Sequence, residues 1–158
     1  MAGASAEARL AELGIELPGV AAPVAAYVPA VVTGSYVHTS GQLPFVDGAL
    51  PATGKVGEGE GLVPAGEAKE HARRCALNAL AAVRAELGSL DRVTRVVKLV
   101  GFVASDPAFT GQPGVVNGAS ELIGEVFGDA GKHARSAVGV AVLPLDAPVE
   151  VELVVEFA

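Results

Sequence analysis

The chain has a single cysteine, no tryptophan and few aromatic residues of any kind. One cysteine, Cys75, excludes an intramolecular disulfide and is typical of a reducing compartment. Because acidic residues outnumber basic ones, 18 to 11, and the formal net charge is −7, the composition argues against a nucleic-acid-binding surface. The three histidines do not occur at metal-ligand spacing and no Cys/His/Asp cluster accompanies them, so we expect no metal site.

Long apolar runs are also missing, although hydrophobic residues make up 51% of the chain and the mean hydropathy is +0.46. Charge, glycine or proline interrupts every run before the ~18–20 residues that a membrane span needs. The start of the chain also lacks the basic and apolar segments of a secretory signal. We therefore expect a cytoplasmic protein with no membrane partner, whose surplus apolar surface is buried between subunits.

Apolar periodicity divides the 158 residues into the strands and helices of a single domain. We expect an N-terminal extension over residues 1–21, carrying a short helix, and the domain itself over 22–158. Strands are predicted at 24–32, 36–42 and 93–104, with a short one near Val56 and two more after residue 133. Helices are predicted at 5–13, 64–87 and 117–127.

The last quarter of the chain carries two apolar runs separated by a turn signal at 144–148. In the second run three glutamates alternate with apolar residues, so one strand face is buried and the other faces water or a polar site. The first run opens with Arg135, and the small residues on its face leave room beside the guanidinium. The order of elements predicts an α+β two-layer sandwich: a mixed sheet, a parallel crossover, and both long helices on one face.

Two separated motifs support a more specific assignment. The first is Tyr27 with Gly34 and the run TSGQLP at 39–44; the second is ARSAV at 134–138 with LP at 143–144 and VEVE at 149–152. Together they resemble the RidA/YjgF family, small cofactor-free proteins that hydrolyse reactive enamines and imines. The resemblance covers roughly residues 22–158. It implies a chorismate mutase-like fold and a homotrimer with clefts at its subunit interfaces.

The resemblance also assigns roles to individual residues. Arg135 matches the arginine that holds the substrate carboxylate, in keeping with the bidentate grip of a guanidinium, although a surface or interface arginine is the alternative. Glu150, six residues after Pro144, matches the glutamate that positions or activates the attacking water; otherwise it is a solvated acid. Tyr27 matches a site tyrosine, or is an ordinary strand aromatic.

The remaining matches are looser. Ser40 and Gly41 match positions that line the same pocket, and a bend after a strand explains them equally well. Asn117 corresponds to a pocket asparagine or caps the predicted helix. The resemblance also makes Ala137 an expected substrate-binding residue, at a position where the commonest family form has cysteine. Two other positions depart from that form: His133 replaces a proline and Gly139 a frequently polar residue.

Strand geometry bears on where such a site would lie. If the last two strands are antiparallel neighbours, Arg135 lies about 26 Å from their turn while Glu150 lies beside it. One subunit would then not bring both residues to one substrate, and a shared site would lie between subunits.

The hypothesis that follows is hydrolysis of 2-aminoacrylate-type enamines and imines to 2-oxo acids and ammonia, with Glu150 and Tyr27 catalytic. Because a protonated C=N bond is already electrophilic, positioning and proton transfer suffice without cofactor or metal. The altered residues Ala137 and Gly139 keep open a non-catalytic trimer that binds small carboxylate metabolites. Endoribonuclease activity, attached to some family members, is disfavoured by the acidic charge and the lack of a His/Lys constellation.

Overall fold

The computed structural model describes residues 3–20 and 25–158. It contains one five-stranded mixed sheet in the order β1-β2-β5-β3-β4, with three α-helices. The strands are β1 (Ala30–Thr33), β2 (Tyr36–Thr39), β3 (Val93–Ala104), β4 (Ala134–Val140) and β5 (Val149–Phe157). The helices are α1 (Ala6–Glu12), α2 (Ala65–Leu87) and α3 (Gln112–Phe127). The predicted α+β fold with a mixed sheet is confirmed.

The sheet is organised around β3, which pairs parallel with β4 and antiparallel with β5. The parallel pair is the one predicted from the strand-helix-strand order around α3. Both long helices pack on one face of the sheet, where alternate side chains of β5 are fully buried: Val149, Val151, Leu153 and Val155. The intervening glutamates of β5 therefore point to the opposite face. No helix among the described residues is long and apolar enough to cross a membrane.

Capping residues in the sequence account for the start of α1 and the end of α2. Ser5 caps α1 by accepting a hydrogen bond from the Ala8 amide, and Leu10 on this helix joins the main core. The helix predicted at 64–87 is confirmed as α2. Gly88 caps its C-terminal end in a left-handed conformation with a φ of 81°. Small residues dominate the buried face of α2, so it packs close to the sheet. Cys75 lies on this face, and burial raises the pKa of its thiol.

Four features of the predicted elements are wrong. The strand predicted at 36–42 ends at Thr39. α3 begins at Gln112 rather than at 117, because Pro113 occupies the first turn, where a missing N–H costs nothing. β1 begins only at Ala30, since Pro29 has no N–H for the ladder, and Val24 lies outside the described residues. The short strand expected near Val56 is instead a pair of isolated bridges, to Val63 and to Ser105.

Candidate functional site

Arg135 lies on β4 with its side chain turned towards α3. Its Nη1 donates to Asn117 Oδ1 at 2.7 Å and to Ser120 Oγ at 3.2 Å, and its Nη2 donates to the Pro113 carbonyl at 3.4 Å. Asn117 therefore lies inside α3 rather than at its cap, and its amide oxygen holds the guanidinium. The structure thus brings together two of the predicted site residues, Arg135 and Asn117.

The position of α3 depends on two glycines that allow close approach. A Cβ at Gly101 of β3 would come within 2.5 Å of Val116 Cγ2, and one at Gly118 would overlap the Lys69 carbonyl of α2. With α3 seated there, Asn117 and Ser120, three residues apart on one helix face, both point at β4. Ser120 was not predicted, although its spacing from Asn117 is a signal for it.

A second unpredicted contact extends this arrangement. His133, directly before β4, places Nε2 2.9 Å from Ser120 Oγ and Nδ1 2.7 Å from the Gly131 carbonyl. A carbonyl oxygen only accepts hydrogen bonds, so Nδ1 carries a proton, and in the neutral imidazole Nε2 then accepts from the Ser120 hydroxyl. We refer to Arg135, Asn117, Ser120 and His133 as the arginine cluster.

Two clefts lie near the two ends of β4, and Arg135 itself lines neither of them. One, of about 450 Å³, is lined by Ser120, Gly124, Gly128, Asp129, Gly131, Lys132 and His133. The other, of about 280 Å³, includes Gln112 and Gly139. Ala137 lies on the same face of β4 as Arg135 and packs against the core. A Cβ at Gly139 would come within 2.7 Å of Gln112 Nε2, so the amide of Gln112 occupies the space of a larger side chain.

Glu150 lies on the other face of the sheet, half-buried beside Gly41. Backbone hydrogen bonds of 2.8 and 3.0 Å between Gln42 and Val151 align this segment with β5, and a Cβ at Gly41 would overlap the Glu150 carboxylate. The adjacent Ser40 hydroxyl donates to the Val28 carbonyl at 2.6 Å. We refer to Glu150, Ser40 and Gly41 as the glutamate cluster.

The environment of Glu150 favours its protonated form. Burial raises the pKa of this carboxyl group, and the negative charge of Glu152 on the same strand raises it further. Among the described residues no side chain donates a hydrogen bond to it. A carboxyl group whose pKa is raised is a stronger base once it is ionised, which favours a role in general acid–base chemistry.

The relation between Arg135 and Glu150 differs from the one predicted. β4 and β5 are not neighbours, since β3 lies between them, with Leu99 beside Arg135 and Phe102 beside Glu150. Leu99 and Phe102 are only three residues apart along β3. The large separation expected between Arg135 and Glu150 along the strand direction is therefore wrong. One subunit still does not direct both side chains to one substrate, because they leave the sheet on opposite faces.

Tyr27 is the predicted site residue that the structure leaves most isolated. It precedes β1 rather than lying in a strand, its side chain is 60% exposed, and it forms no hydrogen bond among the described residues. Within the described residues there is also no group of three or more His, Cys, Asp or Glu that could hold a metal ion.

Comparison with known proteins gives consistent matches over nearly the whole chain. The family described as "YjgF/chorismate mutase-like, putative endoribonuclease" matches residues 7–157. The protein TCP17 of Trypanosoma cruzi is 51% identical over 150 residues, which is 94% of this chain and 92% of TCP17.

Two solved structures extend the comparison. Atu1372 of Agrobacterium tumefaciens, a protein of unknown function, is 46% identical with a TM-score of 0.87, covering 97% of this chain and 92% of that one. TdcF of E. coli with bound serine is 27% identical with a TM-score of 0.63, covering 89% and 93%.

Proposed function

Since the chain belongs to the YjgF/chorismate mutase-like family, we propose that it hydrolyses 2-aminoacrylate-type enamines and imines to 2-oxo acids and ammonia. The reaction would take place in clefts between the subunits of a homotrimer. The observation that carries the proposal is that the arginine cluster and the glutamate cluster lie on opposite faces of one sheet. Neighbouring subunits can bring such faces together, whereas a single subunit does not.

The free edge of Arg135 suits a substrate carboxylate. Nη1 donates to Asn117 and Ser120, Nη2 donates to the Pro113 carbonyl, and Nε–H donates to no group among the described residues. The edge that Nε and Nη2 form is the one through which a guanidinium can bind a carboxylate bidentately. The arginine cluster thus holds the guanidinium while leaving its binding edge free.

Glu150 of the neighbouring subunit would accept a proton from water and pass it to the substrate nitrogen. The enamine first tautomerises to the imine, and Glu150 takes a proton from water as the water oxygen adds to the C=N carbon. That proton passes to the nitrogen, and the carbinolamine collapses to the 2-oxo acid and ammonia. Ser40 donates its own proton to Val28, so its oxygen remains an acceptor for the substrate N–H. Tyr27, exposed near β1, would orient the substrate from the same side.

Two further observations support this function. Serine, bound in the TdcF structure, is a three-carbon amino acid, and 2-aminoacrylate is serine without one water molecule. Exposed large apolar side chains, including Tyr36, Val138 and Val142, also favour burial of this surface between subunits.

The test follows ammonia release from freshly generated 2-aminoacrylate by wild type, Arg135→Ala and Glu150→Ala. Glu156→Ala, on the same face of β5, is the matched control. We expect turnover to be lost in the first two variants and kept in the control, with a sedimentation mass of three chains. Wild-type release no faster than the uncatalysed background would reject the reaction.

The family description names an endoribonuclease, so cleavage of RNA is the second candidate function. Incubating nuclease-free wild type and Arg135→Ala with RNA tests it, and we expect neither to cleave. Carboxylate binding without turnover would instead identify a binding protein.

A further inference from the structure

We propose that His133 and Ser120 form a hydrogen-bonded relay that orients the Arg135 guanidinium for carboxylate binding. His133 is then a positioning residue, acting on the substrate through two other side chains. This inference rests on the proposed role of Arg135 as the carboxylate anchor.

The direction of each hydrogen bond in the relay is fixed by its far end. The Gly131 carbonyl, 2.7 Å from His133 Nδ1, requires a proton on Nδ1, so Nε2 of the neutral imidazole is an acceptor. The single hydroxyl proton of Ser120 is then directed to Nε2 at 2.9 Å, and a lone pair of its oxygen faces Arg135 Nη1 at 3.2 Å. A serine hydroxyl inside a helix otherwise tends to donate to the carbonyl one turn earlier.

This polarity matters because it determines which edge of the guanidinium is free. Asn117 and Ser120 both accept from Nη1, and Nε donates to no group among the described residues, so the edge formed by Nε and Nη2 remains for a ligand. Without the Nε2 acceptor of His133, the Ser120 hydroxyl can rotate and direct its own proton towards Arg135 Nη1. Nη1 then loses one of its two acceptors, and the guanidinium can turn away.

The Ser120 and His133 pair is not a nucleophile and base for acyl transfer. Ser120 lies within α3 (Gln112–Phe127), so the amides around it are committed to helix hydrogen bonds. No backbone donors are therefore left to stabilise an oxyanion beside its hydroxyl.

The relay is tested with pyruvate as the carboxylate probe. Four variants are compared with wild type: His133→Phe, which keeps a ring without an acceptor; His133→Gln, which keeps an acceptor; Ser120→Ala; and the double variant His133→Phe/Ser120→Ala. Lys132→Ala, which lines the same cleft outside the relay, is the matched control. The dissociation constant is measured by calorimetry, and the mobility of Arg135 by NMR relaxation of its Nε–H group.

We expect His133→Phe and Ser120→Ala each to weaken pyruvate binding about fivefold, the effect of one neutral hydrogen bond, and to increase Arg135 mobility. The double variant should bind no more weakly than the weaker single variant, because both changes break one chain of contacts. His133→Gln should retain most of the affinity. Independent effects that multiply in the double variant, or unchanged Arg135 mobility in His133→Phe, would overturn the relay.

The two proposals fail in different ways. If wild type binds pyruvate and the variants show the expected losses, but wild type does not turn over 2-aminoacrylate, the relay stands and the proposed reaction does not. If wild type turns over 2-aminoacrylate while His133→Phe leaves pyruvate affinity and Arg135 mobility unchanged, the function stands and the relay is rejected.

Discussion

The arginine and glutamate clusters hold their charged groups in opposite ways. Arg135 has three hydrogen bonds to α3, all to residues within 22 positions along the chain, and its orientation is set before any ligand arrives. Glu150 is positioned by packing against Gly41, from the other end of the chain, and lacks a hydrogen-bond donor among the described residues. A fixed donor fork suits binding, whereas a half-buried carboxyl group with a raised pKa suits proton transfer.

The largest expected effect comes from separating the clusters into different subunits. Arg135→Ala and Glu150→Ala should each be inactive, yet the two chains refolded together should regain about a quarter of wild-type activity, because one interface in four then pairs two intact clusters. Ammonia release after mixing measures this. Absence of recovery in verified mixed assemblies would contradict a site shared between subunits.

A matched pair of substitutions should show how tightly each cluster is packed. Gly41→Ala places a methyl group against the half-buried Glu150 carboxylate, and we expect a loss of about 1–3 kcal/mol in unfolding free energy together with reduced turnover. Gly139→Ala meets the end of the flexible Gln112 side chain at 2.7 Å and the Ser105 hydroxyl at 3.1 Å, a less severe overlap, so its effect should be smaller, under about 1 kcal/mol. Urea denaturation compares them, and equal losses would show that the two sides are packed alike.

The smallest effect concerns pH. Because the pKa of Glu150 is raised in the folded state, its contribution to stability is fully present below the ordinary glutamate pKa of about 4.3 and is lost as pH rises through the folded value. Glu150→Gln should therefore gain stability relative to wild type as pH rises through this window. Arg135→Gln should show no such trend, since a guanidinium stays charged throughout.

Denaturation at a series of pH values measures both differences. Glu152→Gln should shift the titration of Glu150 downwards, which carboxyl NMR can follow, because it removes one of the two causes of the raised pKa. An unchanged titration in Glu152→Gln would leave burial as the cause.

The sequence predicted well those strands and helices whose bounds depend on residues close together along the chain. The continuous apolar run of β3 and the alanine-rich face of α2 match the predicted bounds at 93–104 and nearly so at 64–87. The start of α3 was missed because Pro113, with glycines on either side, has the composition of a loop while serving as a first-turn residue.

The contacts within the site were harder to predict because they depend on strand order. The turn signal at 144–148 fits adjacent strands and also a connection that passes over β3, and nothing local distinguishes the two. The motifs indicated Arg135 and Glu150, but only the order of strands shows that they face opposite sides. The contact between Ser120 and His133 likewise requires β4 to lie beside β3 under α3.

β5 is the last strand along the chain, yet it lies third in the sheet, between β2 and β3. Until it leaves the ribosome, the nascent chain can form only two separate strand pairs, β1 with β2 and β3 with β4. Both expose apolar side chains that β5 later helps to bury, so the domain reaches its native state only after β5 has been translated. A premature stop codon before residue 149 would therefore leave a polypeptide for chaperones and proteases rather than a smaller folded domain.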